Sequence, residues 1–228
     1  MAPNPPVTPA NPTDLKALKG QLPLIGLTGG IGSGKTTVST LLSQLGAGIV
    51  DTDLIAHQIT APHGKAIALI KKEFGPHFID PNGALDRAKM RALVFEDPHS
   101  REILERITHP LIREETISQA WNLAKDGCAY IVFVVPLLIE FKAWLELIDH
   151  LVVVDCPEEI QISRVMQRSN LTRPEVVRIL NAQVSREERL SHADTILQNN
   201  GNFEELSNQV HLFHQKILDS AKGLPTSS

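Results

Sequence analysis

An α/β fold, a parallel sheet with helices on both faces, follows from three features of the sequence. Short apolar runs alternate with amphipathic stretches between residues 22 and 217. The first of these runs passes directly into a glycine cluster and then into a helical pattern. A later run, 129–135, is continuous and rich in β-branched residues, which suits a central strand buried on both faces.

The elements follow in order. Residues 1–20 carry five prolines in the first twelve positions and read as a flexible leader. No Lys or Arg precedes Lys16 and no apolar core is present, so the leader is not a secretory signal. One folded domain is expected over 21–218. A strand at 22–27 precedes a helix at 35–45, and a second strand at 48–50 runs into Asp51-Thr52-Asp53. Residues 54–125 carry no strand pattern. They predict helices near 65–74, 86–95, 98–107 and 110–125, broken at Pro76, Pro81, Pro98 and Pro110, and read as a helical insertion. The third strand is 129–135. The fourth, 151–155, stops before Pro157, where a helix to about Arg168 begins, and 170–190 is polar, helical and Arg-rich. A fifth strand at 194–198 precedes Asn199-Asn200-Gly201 and a last helix at 203–217, leaving 219–228 as a tail.

Composition removes several function classes. Hydrophobic residues are 42% and charged residues 21%, an ordinary globular balance. Lys plus Arg number 22 against 26 Asp plus Glu, a net charge of −4, whereas a general nucleic-acid binder needs positive charge to displace counterions. The longest apolar run, 128–139, is too short for a membrane helix and contains Pro136. Cys128 and Cys156 sit in apolar surroundings without metal-ligand spacing, and reduced core cysteines suit a cytoplasmic protein. The expectation is therefore no nucleic acid, no membrane, and a monomer or weak homo-oligomer.

Residues 29–36, Gly-Gly-Ile-Gly-Ser-Gly-Lys-Thr, fit the phosphate-binding P-loop pattern, with a strand leading in and a helix leading out. The glycines let backbone N–H groups turn inward, and the helix adds the positive end of its dipole. The expected ATP-binding set is Gly30, Ile31, Gly32, Ser33, Gly34, Lys35, Thr36 and Thr37. Lys35 is expected on the β- and γ-phosphates and the Thr36 hydroxyl on Mg²⁺.

Asp51 and Asp53 stand at the carboxyl end of the second strand, the side where open α/β sheets bind ligands. Continued strand alternation would put both on one face. Capping suits Asp51, and general-base catalysis suits Asp53. Six arginines, Arg164, Arg168, Arg173, Arg178, Arg186 and Arg189, crowd 164–189 without a lysine. That composition favours bidentate grips on phosphate, most readily by Arg168 with Arg173 or Arg186, although nearby glutamates compete. His109 stands at a helix junction, and His211 and His214 lack further ligands for a metal.

These residues, with Leu85-Asp86-Arg87, His109-Pro110-Leu111-Ile112, Val135-Pro136-Leu137-Leu138-Ile139-Glu140 and Asn199-Asn200-Gly201, together resemble the dephospho-CoA kinase family. The resemblance spans about 22–217. It implies a P-loop kinase of nucleotide-kinase type with a five-stranded sheet, a CoA-binding insertion at 54–125 and a lid at 165–190. It also implies Mg²⁺ and ATP as phosphoryl donor, dephospho-CoA as acceptor, and the last step of coenzyme A synthesis. By resemblance Asp53 is the base, Arg168 the lid arginine, and Arg87 and His109 belong to the acceptor side, while Asn199 joins the ATP set. Thr52 stands where the family usually has Ala, and Pro136 where many P-loop proteins keep a Walker-B acid. Kinases for a nucleoside, shikimate or gluconate remain the nearest alternative. A GTP-binding switch would want an N-K-x-D motif, and the chain has none.

Overall fold

Alternation along the central strands sorts their side chains into two cores. Leu24, Ile131, Phe133, Leu151 and Val153 go to one face, and Ile25, Leu27, Val132, Val134, Val152 and Val154 to the other. The computed structural model describes residues 14–140, 142–169 and 171–221. Its strands are β1 (Leu24–Thr28), β2 (Gly48–Asp51), β3 (Ile131–Val134), β4 (His150–Asp155) and β5 (Thr195–Gln198). All neighbours are parallel, in the order β2-β3-β1-β4-β5. The connection after β1 runs toward β2 and the one after β3 runs the opposite way toward β4, so the crevice between the carboxyl ends of β1 and β3 is the switch point where such sheets hold ligands.

Helices α1 (Lys35–Gln44) and α10 (Phe203–Ala221) lie on the second of these faces, where Val38, Leu42, Leu206, Val210 and Phe213 close the core. The first face is covered by α2 (Thr52–Ile59), α3 (Ile67–Phe74), α4 (Arg87–Glu96), α5 (Pro98–Lys125) and α6 (Lys142–Leu147). Beyond β4, α7 (Glu158–Ser169), α8 (Arg173–Asn181) and α9 (Arg186–Ser191) follow. Ile162, Val165 and Val176 form a small separate core there, with Ile31 packed against it.

Four expectations need correction. Pro110 does not divide two helices, because α5 runs unbroken from Pro98 to Lys125. The missing N–H forfeits one helical bond, but packing against α2, α3, α4 and β2 holds both halves on one axis. The leader is not loose throughout 1–20. Asp14 caps a 3₁₀ turn, Leu15–Leu18, whose Leu15 and Leu18 enter the first core, while residues 1–13 lie outside the described residues. The tail expected from 219 is helical to Ala221, and 222–228 lie outside the described residues. Helix α6, only six residues long, was not expected at all.

Candidate active site

The P-loop starts where β1 ends. Gly34 has φ +101°, a left-handed conformation, and a Cβ there would collide with the Asn199 carboxamide. That carboxamide fixes the loop by donating from Nδ2 to the Ser33 carbonyl at 2.7 Å. Asn199 Oδ1 in turn accepts from Arg164 Nη2 at 3.3 Å. Asn199 thus braces the loop, and both ends of its side chain are engaged.

Lys35, the first residue of α1, folds back on the loop. Its Nζ donates to the carbonyls of Gly29 at 2.7 Å and Gly30 at 3.3 Å. Burial pushes this ammonium down to about 8. Asp53 opposes that fall, and the charges of Arg189 and Arg168 add to it. The Ile31 N–H, aimed where an anion would sit, donates to Gln183 Oε1 at 3.1 Å. Thr36 is exposed, and its hydroxyl makes no hydrogen bond among the described residues. Thr37 follows it in the first turn of α1.

Asp51 is the N-cap of α2: its Oδ1 accepts from the N–H groups of Asp53 at 2.9 Å and Leu54 at 3.1 Å. The strand therefore ends at Asp51, and the helix, not strand alternation, aims Asp53. The Asp53 carboxyl opens to solvent on one side, yet its enclosed side pushes its pKa up, with Asp51 acting the same way and Lys35 and His57 opposing. Thr52 uses its hydroxyl to donate to the Val134 carbonyl at 3.2 Å, so this departure from the family's usual Ala ties α2 to β3.

The arginines divide. Arg186 grips Asp155 with two bonds, Nε to Oδ1 at 2.8 Å and Nη2 to Oδ2 at 2.7 Å. Asp155 is 3% exposed, and Arg186 holds its carboxyl below the usual range. Arg173 pairs with Glu159 on the surface. Arg168 is exposed, donates weakly to Ser169 Oγ at 3.5 Å, and its charge reaches Lys35. On the helical block, Arg87 Nη2 donates to Thr60 Oγ1 at 2.6 Å, and that hydroxyl donates to the Ala56 carbonyl at 2.7 Å. Arg87 is thereby joined to the helix that carries Asp53. His109 is exposed on α5, with no hydrogen bond to its ring among the described residues.

The charges of Asp53, Arg189, Arg168 and Asp51, in that order of weight, all act on Lys35. Arg173 and Arg186 are engaged by carboxylates instead. Sequence reasoning gave no role to Gln161, Gln183 or Glu140, and counted Arg189 only as one of six arginines without singling it out. Glu140 Oε1 accepts from the Val184 N–H at 3.0 Å, and Gln161 Nε2 donates to the Cys156 carbonyl at 2.9 Å. Glu140 at least closes the 135–140 motif, whereas a neutral glutamine leaves no charge or spacing signal.

Comparison with known proteins bears on the family and the fold. The family model described as dephospho-CoA kinase matches residues 23–205. A dephospho-CoA kinase of Burkholderia thailandensis is 54% identical over 202 residues, covering 88% of this chain and 98% of that protein. One from Nitrosospira multiformis is 46% identical over 200 residues, with the same coverage. Among solved structures, a Thermus thermophilus protein superposes with TM-score 0.70 at 32% identity, covering 86% of this chain and 98% of its own. The dephospho-CoA kinase from Campylobacter jejuni gives TM-score 0.66 at 28% identity, again covering 86% and 98%. A phosphate cradle, a neighbouring carboxylate and relatives matched over nearly their whole length lead to one assignment: this chain belongs to the dephospho-CoA kinase family.

Proposed function

We propose that the chain transfers the γ-phosphoryl group of ATP to the ribose 3′-hydroxyl of dephospho-CoA, giving coenzyme A and ADP, the last step of coenzyme A synthesis. The observation that carries the site reading is the electrostatic coupling of Asp53 to Lys35, a prospective base beside a phosphate cradle. Asp53 orients the hydroxyl and takes its proton. The 3′-oxygen bonds to the γ-phosphorus, and the bond to the β-bridging oxygen breaks, ADP leaving with that electron pair. Lys35 must exchange the Gly29 and Gly30 carbonyls for phosphate oxygens, and the amides of 30–37 receive the remaining charge. Arg168 approaches from the C-terminal end of α7, and 165–190 serves as a lid that excludes water once the site is filled. Arg173 and Arg186 reach ATP only by releasing Glu159 and Asp155.

The helical block 54–125 is read as the acceptor-binding insertion, with Arg87 and His109 on that side. The residues present fit Mg²⁺ carried in on ATP: the Thr36 hydroxyl has no protein partner among the described residues, and no cluster of three His, Cys, Asp or Glu among them forms a cage. Mg²⁺ supplies charge neutralisation on the phosphate oxygens. The two free cysteines fit a cytoplasmic setting, and the chain is read as a monomer or weak homo-oligomer. No described helix is long and apolar enough to cross a membrane.

The test is ADP release with Mg·ATP and a panel of acceptors. Stimulation by dephospho-CoA is expected; stimulation only by a nucleoside, shikimate or gluconate overturns the assignment. Asp53→Asn is expected to abolish most transfer while leaving ATP affinity largely intact, and near-normal turnover removes Asp53 from its role.

A further inference from the structure

Arg189, on the short helix α9, is 7% exposed, among the most enclosed charged side chains described. Asp155, the other deeply enclosed charge, has a guanidinium on both its oxygens. Arg189 has nothing comparable. Its Nη2 donates to the Val184 carbonyl at 2.8 Å, and among the described residues no carboxylate forms an ion pair with it. Glu140, Asp155 and Glu158 act on it only from a distance, and burial outweighs them. One neutral hydrogen bond does not offset the cost of enclosing a cation.

Its position explains what is missing. Nη1 lies 3.3 Å from the point where a Cβ on Gly30 would stand. Gly30 is also one of the two residues whose carbonyls hold the Lys35 ammonium. Since a P-loop lysine reaches the β- and γ-phosphates, this is the terminal-phosphate end of the cradle. Gln161 Oε1 abuts the same spot, buried and without a partner. Two cations crowd one place, no carboxylate among the described residues is in ion-pair contact with either, and the charge of Arg189 makes that of Lys35 harder to keep.

We propose that Arg189 is a further phosphate-binding residue of the transfer site, whose Nη1 edge, set against Gly30, grips the terminal phosphoryl oxygens of ATP and distinguishes triphosphate from diphosphate. This rests on the phosphotransfer reading of the P-loop. The Val184 carbonyl anchors one edge of the fork, so the other is aimed before the nucleotide arrives. The guanidinium stays protonated throughout and passes no proton. Its attraction grows as charge spreads over the γ-phosphoryl oxygens, which is where binding becomes rate.

The experiment compares Arg189→Met and Arg189→Lys in the full chain. Affinities for Mg·ATP and Mg·ADP are measured by calorimetry without acceptor, and kcat with dephospho-CoA. ADP affinity should stay within about threefold of the parent, while ATP affinity falls at least about tenfold in Arg189→Met and less in Arg189→Lys. The kcat of Arg189→Met should drop roughly 10²–10³-fold, as when a donor to a developing charge is lost. Equal weakening of both nucleotides, or of neither, overturns the proposal and leaves Arg189 as a brace for Val184. If Arg189→Met does not fold, the ATP-to-ADP ratio in folded Arg189→Lys decides: a lowered ratio supports the proposal and an unchanged one overturns it. Failure of the parent protein to use dephospho-CoA would remove the acceptor assignment, while the nucleotide comparison would still decide on Arg189.

Discussion

An ammonium brought down to about 8 loses its charge close to neutral pH, and Lys35 is such a group. In the free protein Lys35 is charged below about 8 and discharges as pH rises through that value, so kcat/KM for ATP is expected to fall on the alkaline side. Bound phosphates favour the charged form, and kcat should therefore hold to higher pH. Asp53 sets the acid limb in the opposite sense. As a base it works ionised, and its raised pKa puts the rise in activity above the range of an ordinary carboxylate. Asp53→Asn should erase that limb. Because Asp53 also supports the Lys35 charge, the same variant should bind ATP with its alkaline limb shifted to lower pH. Paired pH profiles of turnover and ATP binding check both directions. At this scale the sequence was most informative about charge: the Lys and the Asp were legible, one from its glycine frame and one from its place after a strand. Arg186 was misleading, because the carboxylate that holds it, Asp155, is 31 residues away in the chain and adjacent only in the fold.

Among the elements, the loop between α8 and α9 closes against the P-loop. It reaches the core through Gln183 on the Ile31 amide and through the Val184 N–H on Glu140. An incoming phosphate competes with Gln183 for a donor. Gln183→Leu is therefore expected to tighten ATP binding by roughly two- to tenfold, the worth of one neutral hydrogen bond of about 0.5–1.5 kcal/mol. Weaker binding in this variant would mean that the carboxamide helps the bound state instead. The three central strands, β1, β3 and β4, were readable because they are written as apolar runs buried on both faces. Local rules failed at α5. Proline ends most helices, but α5 packs on α2, α4 and β2, and tertiary packing overrode the lost bond. Helix α6 left no trace, since six residues hold less than two turns of periodicity.

The whole molecule depends on residues that composition alone would discard. Leu18 is fully buried although it follows a proline-rich stretch, and Lys19 Nζ donates to the Glu146 carbonyl at 2.8 Å beside it. Leu18→Ala should cost about 2–5 kcal/mol and move the urea midpoint down accordingly; a change below about 0.5 kcal/mol would exclude Leu18 from the core. The sheet margin at β5 is closed by different means. Gln209 on α10 accepts from the Gln198 N–H at 2.9 Å and donates to its carbonyl at 3.0 Å, so the outward backbone groups of Gln198 are not open to another strand. Finally, Ile31 belongs to two worlds: its backbone N–H faces the anion cradle, and its side chain is packed against Ile162, Val165 and Val176. Grip on the nucleotide and repose of the α7–α8 arm are thus geared through a single residue. A substitution that shifts the α7–α8 arm is therefore expected to alter how firmly a nucleotide tail is held, and nucleotide affinity in core variants at Ile162 or Val165 checks it.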